Sequence, residues 1–293
     1  MDVSIAIVSW NTLGLLDRCL ESLRAGDGDL QTEIIVVDNA STDGSVEMVR
    51  AKYPEATLVV NTDNVGFAKA NNQAYRISTG KYLLLLNSDT IVFPNAIRVL
   101  YDWMERHQDC GVCGPMLLDE DGSLQASWAQ LPTLWTEARG YHDRNVDTKD
   151  LYRLDIETLH SMDGLEVGWV GGACMMVRRE VCTEAGVLDD GFFMYCEETE
   201  LCWRARNSQW KVHYVPGAEV THIGGGSSRL VPARTRFRSD WSKVRLFWRM
   251  GGAHRASCLP LAVVLAIKTC ARLIQGSARP FSASKTIGEH DGD

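Results

Sequence analysis

The fold class that the sequence predicts is α/β, a mostly parallel central sheet flanked by helices, and three observations predict it. Continuous apolar runs recur at residues 4–8, 33–38, 57–61 and 82–87. Segments with helical spacing separate them, and such unbroken strands belong to sheets covered on both faces. The 293 residues, 45% hydrophobic and 23% charged, have ordinary globular composition and enough length for one large domain or two small ones.

Taken in order, residues 4–8 (SIAIV) read as the first strand, and Leu13, Leu16, Leu20 and Leu23 follow at helical spacing. Residues 33–38 (EIIVVD) repeat the strand signal. The turn Asn39-Ala-Ser-Thr-Asp-Gly44 offers Ser41 or Asp43 as N-cap of a helix near 45–52. Residues 57–61 (TLVVN) form a third strand, a helix follows near 66–79, and residues 82–87 (YLLLLN) form the fourth strand. Pro94 suits the first turn of a helix running to about 106.

In open α/β sheets ligands sit outside the carboxyl ends of the strands. Here those ends are Trp10-Asn11, Asp38-Asn39, Asn61 and Asn87-Ser88-Asp89. Singly, each is equally well a loop start or a helix cap. Together they converge on one crevice. The dinucleotide fingerprint GxGxxG is absent after the first strand, where Ser9-Trp-Asn-Thr-Leu-Gly14 stands instead, which argues against a dehydrogenase.

Charge is divided unevenly. Residues 229–280 hold eleven Arg and Lys against Asp240 alone, a net +10, whereas the whole chain carries −8. The body is therefore strongly acidic and the tail basic. The N-terminus, MDVSIAIVSWN, puts an acidic residue where a secretory leader carries positive charge, so the expectation is a cytoplasmic protein. Nine cysteines without framework spacing fit reduced thiols. Cys110-x-x-Cys113 reads either as the start of a zinc site or as two buried small hydrophobes, and no second CxxC follows.

Seven ordered motifs carry a resemblance. Ile7-Val-Ser-Trp-Asn11, Val37-Asp-Asn-Ala-Ser-Thr-Asp-Gly-Ser45, Asn64-Val-Gly-Phe-Ala-Lys-Ala-Asn-Asn72 with Leu86-Asn-Ser-Asp89 resemble the nucleotide-binding half of family 2 inverting glycosyltransferases, which have the GT-A fold. Gly171-Gly-Ala-Cys-Met-Met-Val-Arg178, Phe192-Phe-Met-Tyr-Cys-Glu-Glu-Thr-Glu-Leu-Cys-Trp-Arg204 and Val220-Thr-His-Ile-Gly-Gly-Gly-Ser-Ser228 resemble the acceptor half of its rhamnosyltransferase-like branch. The resemblance spans about residues 3–250. It implies a GT-A domain over 1–228, with a nucleotide-binding half over about 1–115 and an acceptor half over about 116–228. A basic amphipathic helical extension over 229–280 and a disordered tail over 281–293 complete the expected organisation.

A nucleotide-sugar donor must lose a diphosphate, whose charge a divalent metal compensates. The resemblance makes Asn87-Ser88-Asp89 the Asp-x-Asp element, with Asp89 a ligand of Mg2+ or Mn2+ and Asn in place of the first Asp. It makes His222 the other ligand and sets the backbone of residues 224–226 against phosphate. Asp38 is expected on the nucleobase or ribose, with Trp10, Asn11, Asn39 and Ser41 beside it. Gly66 would allow close backbone approach to the donor, and Asn71 or Asn72 would line the same wall. Inverting transfer needs a base on the acceptor hydroxyl. Glu198 takes that position, next to Glu197, in a chain that carries Glu-Glu where the family has Glu-Asp. Glu200 completes the acidic cluster. The alternative is that all three acids only favour a helix N-terminus.

The tail points to the acceptor. Phe237, Trp241, Val244, Leu246, Phe247 and Trp248 interleave with Arg234, Arg236, Arg238, Lys243, Arg245 and Arg249, a pattern suited to an anionic membrane surface. Residues 258–267 are apolar but fall short of the roughly 20 residues that a spanning helix needs. The expectation is peripheral attachment to the inner face of the membrane through residues 234–267, and a lipid-linked saccharide or glycan acceptor. A core helix or a homodimer contact is the rival reading. The acidic body and the lack of any nucleic-acid motif argue against nucleic acid. The donor implied by the resemblance is dTDP-rhamnose. A sugar-phosphate nucleotidyltransferase, or a catalytically inactive nucleotide-sugar binding module, would use a similar sheet and acidic strand ends.

Overall fold

In a computed structural model that describes residues 1–24, 28–139, 156–184, 187–224 and 232–274, the first half alternates strand and helix. β1 (Val3–Ser9), α1 (Leu13–Leu23), β2 (Thr32–Asp38), α2 (Ser45–Lys52), β3 (Thr57–Val60), α3 (Phe67–Ile77) and β4 (Tyr82–Asn87) follow the sequence reading to within three residues at either end. Next come β5 (Thr90–Val92), α4 (Ala96–Arg106), β6 (Cys110–Leu118), β7 (Leu124–Gln125), β8 (Trp128–Ala129), α5 (Leu134–Arg139), α6 (Ile156–Ser161) and β9 (Leu165–Glu166). β10 (Trp169–Val170), β11 (Cys174–Arg178), α7 (Arg179–Glu184), α8 (Glu197–Asn207) and β12 (Lys211–His222) complete the body. α9 (Pro232–Met250), α10 (Gly252–Ala256) and α11 (Cys258–Ile274) form the C-terminal helices. The expectations for Gly225, Gly226, the boundary at 228 and the tail over 281–293 lie outside the described residues.

Among the described residues the main sheet runs β3-β2-β1-β4-β11-β6-β12-β5, with β7 on β6 and β9 on β12. β2 and β4 flank β1 in parallel, and β3 pairs parallel with β2. β11 enters antiparallel between β4 and β6, and β6 pairs parallel with β12. The strand order reverses at β1, so the carboxyl ends of β1 and β4 border a switch-point crevice.

The four leucines of β4 follow from two-sided burial. Leu83 and Leu85 pack with Ala68, Ala70 and Ala74 of α3 and Leu201 of α8. Leu84 and Leu86 pack on the other face with Leu16 and Leu20 of α1 and Leu100 of α4. At about 1.5–3 kcal/mol for each fully buried leucine, such a run holds the sheet centre and sets where Asn87 emerges.

The basic tail is docked on the acidic body. Leu246 and Met250 of α9 join the core that contains Leu201, and Phe247 makes a smaller cluster with Leu261 and Leu265 of α11. Arg245 and Arg249 pair with Asp189, Arg249 also reaches Glu200, and Lys243 pairs with Glu137. The interleaved apolar residues are thus split: Leu246 and Phe247 turn in, while Trp241 and Trp248 remain exposed. Cys110 and Cys113 are buried free thiols. A hydrogen bond from Cys113 and the nearby His213 ring bring Cys110 down to about 6, and burial raises Cys113.

Candidate active site

The first wall of the crevice is made by the loops after β1 and β2. Asp38 is 1% exposed; its Oδ1 accepts the Ser41 N–H at 2.8 Å, while its Oδ2 is buried without a hydrogen-bond partner. A buried unpaired acceptor of this kind is costly, and a donor group brought into the crevice would satisfy it. Asn11, at φ 52°, accepts the Thr42 N–H through Oδ1 at 2.8 Å, and its own N–H reaches Ser41 Oγ at 2.9 Å. Asn11 and Ser41 therefore fasten one loop to the other. Ser41 does not cap α2. Gly44, at φ 89°, holds the N-cap position, and the preceding Asp43 accepts from the Ser45 N–H at 3.1 Å through Oδ1 and from the Leu13 N–H of α1 at 2.8 Å through Oδ2. Trp10 is half-buried beside them.

Four expected wall residues make contacts within the chain itself. Asn39 Nδ2 donates to Gly66 O at 3.3 Å and its Oδ1 accepts from Asn61 Nδ2 at 2.9 Å, so it spaces the strand ends. Gly66 sits at φ 90°, and a Cβ there would lie 2.6 Å from Phe193 O. The close approach that it permits is to the chain's own loop, which also receives the Phe67 N–H on Phe193 O at 2.7 Å. Asn71 is fully buried, with Nδ2 on Phe67 O at 3.0 Å and Oδ1 unpartnered, one layer beneath the wall. Asn72 is held at Leu188 O and Asp190 Oδ1, at 2.7 and 2.5 Å.

After β4, Ser88 turns inward along a chain of hydroxyls, Ser9 to Thr12 at 3.0 Å and Thr12 to Ser88 at 3.1 Å, that joins the ends of β1 and β4. Asp89 and His222 come together although 133 residues separate them, because β5 pairs with the end of β12 and sets Thr90 opposite His222. Asp89 Oδ1 lies 3.3 Å from His222 Nε2, and Asn87 Nδ2 lies 3.4 Å from the same nitrogen. A carboxylate oxygen and an imidazole nitrogen this close fit a divalent cation. Among the described residues no group of three or more His, Cys, Asp or Glu could hold one alone. Two protein ligands with open positions suit Mg2+ or Mn2+ shared with phosphate oxygens, and imidazole favours Mn2+ of the two. Sequence reasoning overlooked Gln125, whose Oε1 touches His222 Nδ1 at 2.7 Å.

The second wall is the start of α8. Tyr195 and Cys196 take positive φ, 74° and 66°, two consecutive left-handed residues without a glycine. Such strain costs about 1–3 kcal/mol per residue and concentrates at functional turns. The two acids that follow are adjacent on α8 and so point about 100° apart. Glu197 is 4% exposed with Oε2 unpartnered; burial, then the charge of Glu198, raise its carboxyl well above the ordinary 4.5. Glu197, expected in the catalytic pair, is the more buried of the two acids. Glu198 is half-buried, accepts from Thr199 Oγ1 at 3.1 Å, and lies against Gly172, where a Cβ would stand 3.4 Å from its own Cβ. The neighbouring Ala173 O accepts the Asn87 N–H at 2.9 Å, which brings Glu198 to the β4 end of the crevice. Glu200 is fully buried and holds Arg204 at 2.8 Å and Arg249 at 3.3 Å, a structural task.

This architecture is the GT-A fold. The mannosyltransferase PcManGT from Pyrobaculum calidifontis, solved with GDP-Man and Mn2+, matches 94% of this chain and 76% of its own with TM-score 0.58 at 17% identity. S. aureus TarS 1–349 matches 96% of this chain and 75% of its own with TM-score 0.55 at 14% identity. The sequence carries the assignment further: the model of Glycosyl transferase family 2 matches residues 4–186, and the chain belongs to that family. It is 30% identical over 242 residues to an N-acetylglucosaminyl-diphospho-decaprenol L-rhamnosyltransferase of Mycobacterium tuberculosis, across 74% of this chain and 75% of that one. Rhamnosyltransferase WbbL of Escherichia coli is 26% identical over 241 residues, across 78% and 85%.

Proposed function

We propose that this glycosyltransferase moves rhamnose from dTDP-rhamnose, with inversion, to a lipid-linked or polysaccharide acceptor in cell-envelope glycan synthesis. The observation that carries the reading is the contrast at α8, where Glu197 is buried with its carboxyl raised well above the ordinary value, while the adjacent Glu198 lies half-buried against Gly172. Glu198 takes the proton from the acceptor hydroxyl as its oxygen attacks the anomeric carbon. The bond from that carbon to the diphosphate breaks, and its electron pair leaves with the diphosphate. Asp38, with its unpartnered Oδ2, accepts from the base or ribose of the donor. Asp89 and His222 would hold Mg2+ or Mn2+, which when bound compensates the charge of the departing diphosphate. The choice of rhamnose is supported by the names of the two relatives.

A lipid-linked acceptor is supported by the outer face of the C-terminal helices. Trp248 of α9 and Leu259, Val263 and Ile267 of α11 are all more than half exposed, with Arg255 stacked over Trp248 at 4.6 Å. Leu259, Val263 and Ile267 recur every four residues, one stripe of a helix. Among the described residues no helix is long and apolar enough to cross a membrane. Such a face fits peripheral attachment at the cytoplasmic surface of the cell membrane.

Calorimetric binding of a panel of nucleoside diphosphates and their sugars, with and without Mn2+, tests the donor site. Tight metal-dependent binding of one nucleotide, lost in Asp89→Ala, supports it. Failure of every nucleotide to bind under every metal condition refutes the reading. Release of pyrophosphate from a sugar phosphate would mark a nucleotidyltransferase instead.

A further inference from the structure

We propose that Gln125 is a positioning residue for His222, fixing the imidazole as the Nδ1–H tautomer and leaving the Nε2 lone pair facing Asp89. The proposal deepens the metal reading above and rests on it for its functional consequence.

The assignment follows from counting donors and acceptors. The Gln125 amide nitrogen meets two groups that only accept, Asp119 Oδ1 at 2.6 Å and the His222 carbonyl oxygen at 3.2 Å. A flipped carboxamide would press its oxygen against both, setting lone pair against lone pair. The NH2 group therefore faces Asp119, and Oε1 faces His222 Nδ1 at 2.7 Å. A carboxamide oxygen cannot donate, so Nδ1 carries the hydrogen. In the neutral ring Nε2 is then the unprotonated nitrogen. It is the same nitrogen that lies 3.3 Å from Asp89 Oδ1 and 3.4 Å from Asn87 Nδ2.

The hairpin that presents Gln125 is built for rigidity. β7 pairs antiparallel with β6, setting Leu117 opposite Gln125, and the same end of β6 pairs with β12 through Leu118 and Thr221. The turn between β6 and β7 is closed by Asp119 N–H on Ser123 O at 2.8 Å and Gly122 N–H on Asp119 O at 2.9 Å, with Gly122 at φ 81°. Asp119 is thereby held where its carboxylate orients the Gln125 amide. The carboxamide at position 125 meets both demands, accepting from imidazole while donating to a carboxylate. Glutamate would still accept from His222 but would meet Asp119 as a like charge. Leucine would do neither. Groups that orient a metal-bound imidazole in this way typically change metal affinity about 10–100-fold when removed.

The test begins with the metal-free protein. Long-range 15N–1H correlation NMR, at a pH where the ring is neutral and with His222→Gln for assignment, should show His222 as the Nδ1–H tautomer. Gln125→Leu should shift it toward Nε2–H, and Gln125→Glu, which restores the acceptor, should keep Nδ1–H. Mn2+ binding without nucleotide, followed by electron paramagnetic resonance, should weaken about 10–100-fold in Gln125→Leu. An Nε2–H tautomer in the wild type, an unchanged tautomer in Gln125→Leu, or equal Mn2+ affinity of the two proteins overturns the proposal. If the tautomer shifts as expected but wild type binds no Mn2+ with or without nucleoside diphosphate, the tautomer assignment is supported and the metal reading falls.

Discussion

Glu197→Gln isolates the buried acid of α8, and its signature is a slope. Glu197 is 4% exposed, Oε2 has no partner, and burial followed by the charge of Glu198 raises its carboxyl well above 4.5. Between its unfolded and folded values the native protein keeps a proton that the unfolded chain has released. The stability this group contributes is therefore complete below about pH 4.3 and is lost as pH rises, at about 1.4 kcal/mol per pH unit. Glutamine has nearly the same shape and does not titrate. Any mismatch of its amide in the pocket is a constant offset, and every other titrating group is common to both proteins. The stability difference, variant minus wild type, should thus rise by about 1.4 kcal/mol from pH 5 to 6 and continue upward until the native acid ionises. Urea denaturation at half-unit steps from pH 4 to 8 measures it. Turnover should survive, because glutamine keeps the shape of the side chain and Glu198 is untouched. A difference that stays flat from pH 5 to 7 would refute the assignment and return Glu197 to candidacy as an ionised catalytic group.

Glu198→Gln should bind donor as the wild type does and lose about 10²–10⁴-fold in kcat, measured as nucleoside diphosphate release; full activity would remove Glu198 as the base. Gly66→Ala should lose about 2–4 kcal/mol in chemical denaturation, because the φ of 90° is strained for alanine and the new Cβ would stand 2.6 Å from Phe193 O. A loss under about 0.5 kcal/mol would show that the Phe193 loop yields freely. Replacing Trp248, Val263 and Ile267 together by serine should reduce cosedimentation with anionic lipid vesicles by roughly tenfold or more while leaving donor affinity intact. Undiminished cosedimentation would rule out this face as the lipid contact.

What could be read in advance was whatever burial on two faces writes locally. The runs of β1, β2 and β4 and the leucine spacing of α1 are direct imprints of strands and helices packed in series, so their limits were legible. β11 was not, because its antiparallel entry between β4 and β6 depends on partners far away in the chain. The pairing of Asp89 with His222 came from motif resemblance, since no spacing rule joins β4 to β12. Gln125 had no local signature at all, although Asp121-Gly122 marked the turn that presents it. The docking of the tail was hidden for a related reason: Arg245 and Arg249 look purely solvent-seeking in sequence, and only the fold supplies Asp189 and Glu200 as their partners.

That docking bears on how an acceptor at a lipid surface would meet Glu198. Asn72 of α3 is bonded to Leu188 O and Asp190, and Asp189 between them holds Arg245 and Arg249 of α9. Burial alone would raise the Asp189 carboxyl, but the Gly191 N–H and the two guanidiniums outweigh it and hold the group below its ordinary value. A Cβ on Gly191 would overlap the Arg245 guanidinium at 1.7 Å, so the loop is shaped around that arginine. Two residues further on, Phe193 closes against Gly66, and the chain then turns through Tyr195 and Cys196 into Glu197 and Glu198. One short loop thus ties the Gly66 wall, Glu198 and the helix that carries Trp248. Attachment through α9 and α11 would fix the height of Glu198 above the lipid surface, whereas a flexible basic tether would let it vary. A docked helix of this kind suits an acceptor whose reactive hydroxyl stands at a set distance from its lipid anchor.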